Sequence, residues 1–305
     1  MSLKNLIATS GPVAFSATTN WPSGAAPANG DDVVFRNSSV DVLGSDETGT
    51  TTTGFATLTI ERSYLGKIGQ FGNPIEVSQT YLKVEAIKVY IGRHTGGLPV
   101  PNGSSRIMLD LAAVASTIYV ESTSPSYSSA EHGIPSVLLK SNHADTVYNV
   151  IEGRVGIAFF AGDTSQQASA VNVGPTAASQ FGNNMPAEVY IGAGLALASL
   201  KVRNGGYAQI KNAPVDIDIM KGGRVEHFGT GNVTGEIEIF TGGEYILRKD
   251  GGTIDKIIVH DGAHYDESKA PPGCIVTDVE LVGANPKWTK NSNVTKTNQE
   301  TTRGN

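Results

Sequence analysis

Leu200-Lys-Val-Arg-Asn-Gly-Gly206 is followed by Ile217-Asp-Ile-Met-Lys-Gly-Gly223, then by Ile237-Glu-Ile-Phe-Thr-Gly-Gly243 and Ile257-Ile-Val-His-Asp-Gly-Ala263. The first glycines of these units are Gly205, Gly222, Gly242 and Gly262, so the repeat advances by 17, 20 and 20 residues. Alternating aliphatic positions closed by a glycine turn, at a near-constant period, are the sequence form of a β-solenoid. Each unit is too small to bury its own apolar face, so neighbours must stack.

Side-chain directions follow from the period of two in a strand. Val215, Ile217 and Ile219 are expected to point one way, and Asp216 and Asp218 the other. Ile217, Ile237 and Ile257 should then form one inside ladder, and Ile219, Ile239 and Val259 a second. Val225, Tyr245 and Tyr265 are expected in one column past the turn. The Gly-Gly pairs fit a corner that needs positive φ. A compact sandwich would not repeat column chemistry over consecutive units. The fold expected is all-β: a right-handed parallel β-helix with rungs of about 20 residues and a less regular N-terminal half.

Working outward, Asp32–Phe35, Leu58–Ile60, Val84–Ile91 and Ile107–Leu111 alternate like strands. Tyr148-Asn-Val-Ile-Glu-Gly153 and Val189-Tyr-Ile-Gly-Ala-Gly194 share a spacing and read as the same rung element. Corner insertions are expected at Ala161–Ala170 and Gly174–Pro186. Three regions follow: 1–54 as an N-terminal cap and attachment region, 55–270 as the shaft, and 271–305 as a cap strand with a polar tail. Trp21 and the Pro271–Trp288 stretch are expected to close the two ends, since an open last rung exposes unpaired strand edges. The tail carries Lys287, Lys290, Lys296 and Arg303 with little apolar surface, so a neighbouring subunit is the simplest thing to hold it.

Composition agrees with an all-β chain. Among 305 residues there are 36 glycines and only 17% charged side chains. The net charge of −6 argues against a coat for nucleic acid. Cys274 is the sole cysteine, which excludes an internal disulfide framework. The first residues lack the apolar core of a secretory signal, and no stretch is long and apolar enough for a membrane-spanning helix. The expectation is a chain made and assembled in the cytoplasm, without membrane insertion.

Chemistry-bearing candidates are few. Asp218 and Glu238 should sit side by side on the wet face, one strand spacing apart, beside a second column of Asp216, Glu236 and Lys256. Paired carboxylates at about 5 Å are the geometry of a retaining glycosidase. A strand with one wet face needs alternating polar residues in any case, and no aromatic cluster is expected in the same columns. No catalytic residue is therefore assigned. His260 should point outward beside Phe240 and His264 lie past the corner beside Glu244, on different faces, so neither metal nor cofactor is expected. Phosphate-loop, nucleophile-elbow and zinc-protease motifs are absent.

Three stretches carry a resemblance. Asn20-Trp-Pro-Ser-Gly-Ala-Ala-Pro-Ala-Asn-Gly-Asp-Asp-Val-Val-Phe35 resembles the opening of many β-helical surface proteins. Leu58-Thr-Ile-Glu-Arg-Ser-Tyr-Leu-Gly-Lys-Ile-Gly69 resembles the element that follows it. Ile134–Asp145 with Val150–Ala158 is similar to the middle of the same group. These are β-helical proteins of tailed phages, usually virion structural proteins such as head fibres, head decorations or tail fibres. The resemblance implies a non-enzymatic particle component: a homotrimer that contacts the major capsid protein and, as a further partner, host-surface glycans. The alternatives it leaves open are a tail fibre or tailspike that binds or cleaves polysaccharide, and a bacterial β-helical adhesin.

Overall fold

The computed structural model describes residues 2–48, 53–72, 79–93, 103–112, 114–124, 133–175, 186–298 and 301–303. Two parallel sheets carry the chain, a long one of 14 strands and a short one of 10. From Leu82 to Lys296 the chain alternates between them. Leu195–Val202 lies in the long sheet and Tyr207–Ile210 in the short, then Asp216–Ile219 in the long and Arg224–His227 in the short. Every pairing between these strands is parallel. Each coil of the solenoid is thus one strand from each sheet, joined by two corners.

The expected ladders are present and longer than the repeat suggests. Ile217, Ile237 and Ile257 are register partners, continued through Leu200, Val171 and Tyr148 to Ile118, Val89, Leu58 and Val33. Ile219, Ile239 and Val259 belong to a parallel ladder that starts at Phe35 and ends at Leu281. Most of these side chains are fully buried. Each buried aliphatic contributes about 1.5–3 kcal/mol relative to exposure. In the short sheet Val225, Tyr245, Tyr265 and Trp288 share a column, as expected for the first three.

Several expectations need correction. Coils of about 20 residues hold only for the C-terminal third; from Leu58 to Val89 the advance is 31 residues. Val215 does not join the inside ladder. It is 44% exposed and precedes the strand, because Pro214 still belongs to the corner. Ala161–Ala170 is only partly a corner insertion, since Gln166–Val173 is a strand of the long sheet. Most of the expected insertion at Gly174–Pro186 lies outside the described residues. Tyr148 and Val189 are not equivalent: the first sits in the long sheet and the second in the short. Both sheets present the same inward alternation, so spacing alone does not separate them.

Glycine closes the corners in two ways. Gly205, Gly222, Gly242 and Gly262 have φ of 80°, 72°, 76° and 69°, the left-handed region that L side chains avoid. Their amides form a hydrogen-bonded ladder of their own, Gly205 N–H to Gly222 O, Gly222 N–H to Gly242 O, and Gly242 N–H to Gly262 O, at 2.9–3.1 Å. The second glycines answer close approach. A Cβ on Gly223 would overlap the Val202 carbonyl.

Both ends are closed by the chain itself. At the N-terminal end Trp21 is buried, its indole N–H donates to Phe15 O at 2.7 Å, and it packs edge-on to Phe15 and Phe35. The edge strand Leu3–Asn5 turns Lys4 inward, where its ammonium caps Ala25 O at 3.1 Å; a charge at that position discourages a further strand. At the other end Trp288 stacks on Tyr265. The tail is held by its own rod rather than requiring a neighbour: Lys287–Thr289, Thr295–Lys296 and Thr301–Arg303 all pair with strands of the same chain. Buried Glu267 anchors it, accepting from the Trp288 indole, the Asn291 backbone N–H and the Lys296 ammonium. Hydrogen bonding to one interior carboxylate supplies the order that the tail's own apolar surface does not.

Candidate functional site

The outer face of the long sheet carries one column from Tyr90 through Tyr119, Asn149, Asn172, Lys201 and Asp218 to Glu238. Tyr90 and Tyr119 stack at 5.2 Å. The Asn172 amide donates to Asn149 Oδ1 at 3.0 Å, extending a side-chain ladder between them. Asp218 and Glu238 are register partners, side by side as the sequence places them.

Both carboxylates are engaged by side chains of neighbouring coils. Lys201 Nζ lies 2.9 Å from Asp218, and His260 Nε2 lies 2.7 Å from Glu238. A retaining glycosidase needs one carboxyl to deliver a proton and the other to attack across an open gap. Here Asp218 is held by an ammonium and Glu238 by an imidazole nitrogen, so neither carboxylate faces an open gap. Aromatic rings do occur in this column, against expectation, but Tyr119 stands four coils from Asp218, roughly 19 Å at the usual strand spacing. They do not flank the carboxylates. In the neighbouring column Asp216 accepts the Glu236 backbone N–H at 3.1 Å, and Lys256 bridges Glu236 and Glu280 at 3.2 and 3.3 Å.

The two histidines lie where expected. His260 stacks on Phe240 at 5.0 Å, whereas His264 opens a short-sheet strand with Nδ1 3.3 Å from Glu244. Among the described residues no group of three or more His, Cys, Asp and Glu side chains is placed to hold a metal ion.

The short sheet has a different outer face. Met108 and Leu138 point outward yet are buried, in a small apolar cluster with Tyr81 and Phe160 that Phe71, Ile134 and Phe159 border. Beneath it, Asp163 accepts from the Tyr81 hydroxyl at 3.0 Å and from Lys140 at 3.4 Å. The Tyr81 hydroxyl is held well above its usual pKa, first by burial and then by the Asp163 charge. Next to this cluster a hollow of about 210 Å³ is lined by Gly133, Phe159, Tyr190, Gly192, Gln209 and Lys211. A second, of about 460 Å³, shares Lys211 and continues along Asn212, Phe228 and Thr230.

Sequence reasoning missed these hollows because their walls come from several coils. The available signal was a set of outward-facing aromatics, Tyr190 and Tyr207 on strands whose wet face needs none and Phe159 just past the strand Gly153–Ile157. The chain matches no family model, no curated protein and no solved structure.

Proposed function

We propose that this chain is a non-enzymatic structural rod of a tailed-phage particle, a head fibre or capsid decoration that assembles as a homotrimer on the major capsid protein. The observation that carries the mechanical part is the unbroken inner ladder from Phe35 to Leu281, with both ends closed by the chain's own aromatic residues. In such a rod each strand's backbone bonds are met by its neighbours, so bending it means breaking the core. The long-sheet face supports the non-enzymatic part, since Asp218 and Glu238 are spent on Lys201 and His260. The particle assignment rests on the sequence resemblance of the Asn20–Phe35, Leu58–Gly69 and Ile134–Ala158 stretches.

Mass spectrometry and labelled imaging of purified particles test it. The chain is expected at a fixed copy number on the head; its absence from particles would overturn the assignment. Incubation with host polysaccharide is expected to release no new reducing ends.

A further inference from the structure

We propose that the hollow on the outer face of the short sheet, floored by Phe159 and Tyr190, binds a carboxylated sugar of a glycan chain. The inference does not rest on the particle assignment.

Three features of the hollow point to that ligand. The first is its floor. Phe159 and Tyr190 lie 6.5 Å apart at 83°. Both are only half-buried. The electron-rich face of an aromatic ring attracts polarised C–H groups, which is what one face of a pyranose presents.

The second is its polar equipment. The Gln209 amide and the Lys211 ammonium have no side-chain partner among the described residues, whereas neighbouring charges on this face are spent on each other: Arg154 with Glu188, and Arg224 with Glu226 and Glu244. An amide offers donors and an acceptor together, matching a pair of adjacent hydroxyls. An uncommitted ammonium matches a carboxylate, and charge-assisted hydrogen bonds are the stronger kind.

The third is size and direction. At about 210 Å³ the hollow is smaller than the roughly 300 Å³ at which drug-sized sites begin, so it takes a single ring. The second hollow shares Lys211, overlaps the first on two coils and reaches one coil further, to Phe228. Adjoining hollows with a shared lysine suit a ring and its neighbour in a chain. The interior of a paired sheet offers no free edge to an added peptide strand. One lysine on a chain of net charge −6 does not suit a phosphate backbone.

The test is titration of the full chain, by ligand-observed NMR and calorimetry, with glucuronic, galacturonic and N-acetylneuraminic acids and their short oligomers. Glucose, galactose and N-acetylglucosamine serve as neutral controls. At least one carboxylated probe is expected to bind about tenfold more tightly than its neutral counterpart. Tyr190→Ala is expected to weaken that binding by about tenfold, and Lys211→Met to abolish the preference for the acid. Lys211 is exposed, so its variant reports even where Tyr190→Ala disturbs folding. Absence of binding by every carboxylated probe, or an acid preference that survives Lys211→Met, overturns the proposal. Neither result bears on whether the chain is found on particles.

Discussion

His227 Nδ1 lies 2.8 Å from the Tyr245 hydroxyl, inside a ladder that is otherwise aliphatic. Nε2 of the same ring lies 2.9 Å from Asn212 O. A carbonyl only accepts, so Nε2 carries the proton and Nδ1 accepts from Tyr245. The neutral ring therefore satisfies both partners. Burial, with the Lys249 charge nearby, pushes the imidazole pKa down to about 3 from 6.5.

That depressed value sets a pH dependence. Between pH 6.5 and 3 the unfolded chain binds a proton at His227 that the folded chain refuses. The stability tied to this site is therefore intact above 6.5 and falls as pH drops, by about 1.4 kcal/mol per unit. His227→Leu is expected to lower stability at pH 7, since Tyr245 and Asn212 O lose their partner, at about 1–3 kcal/mol per group. It should also remove one proton's worth of acid slope. Urea melts at pH 7 and 5 measure both; an unchanged slope would sink the assignment.

Inside and outside of the long sheet should respond differently. Ile237→Ala removes a fully buried side chain from the central ladder, and about 2–5 kcal/mol of stability is expected to go with it. Asp218→Asn, on the opposite face of the neighbouring strand, breaks only a part-exposed pair with Lys201 and is expected to cost less than about 1 kcal/mol. Denaturant melts of the two variants decide it.

The corner glycines separate into two costs. Gly222→Ala puts a side chain at φ of 72°, expected to cost about 1–2 kcal/mol. Gly223→Ala forces a Cβ into the Val202 carbonyl, and its thermal midpoint is expected to fall further than that of Gly222→Ala. Equal shifts would mean that the corner relaxes freely.

Glu267 is the anchor of the C-terminal cap. Lys296→Met leaves this fully buried carboxylate with N–H donors but no cation, and a loss of about 3–5 kcal/mol is expected. Hydrogen exchange should show the loss first in Lys287–Thr289 and Thr295–Lys296, the strands that carry the anchor's partners Trp288 and Lys296.

Much of this was legible in the chain. Alternation at Ile217, Ile219, Ile237, Ile239, Ile257 and Val259 states which side chains face in, because a strand has a period of two. The spacing of Gly205, Gly222, Gly242 and Gly262 states where the corners fall, because only glycine accepts that backbone without strain. Periodicity also put Asp218 beside Glu238, and Val225, Tyr245 and Tyr265 in one column.

Tertiary structure alone decided the rest. A repeat cannot say which of two sheets a strand joins, so Tyr148 and Val189 looked alike. Lys201 and His260 were visible as residues, but their pairing with Asp218 and Glu238 depends on the placement of side chains from neighbouring coils. The polar tail looked unable to fold because its partner, Glu267, lies inside the rod. The neutral His227 needs Asn212 and Tyr245, and the hollow at Phe159 and Tyr190 needs four separated stretches of chain. Local backbone preference is written along a strand, whereas contacts between coils depend on how many residues each corner inserts; that is why shape could be read in sequence and the sites could not.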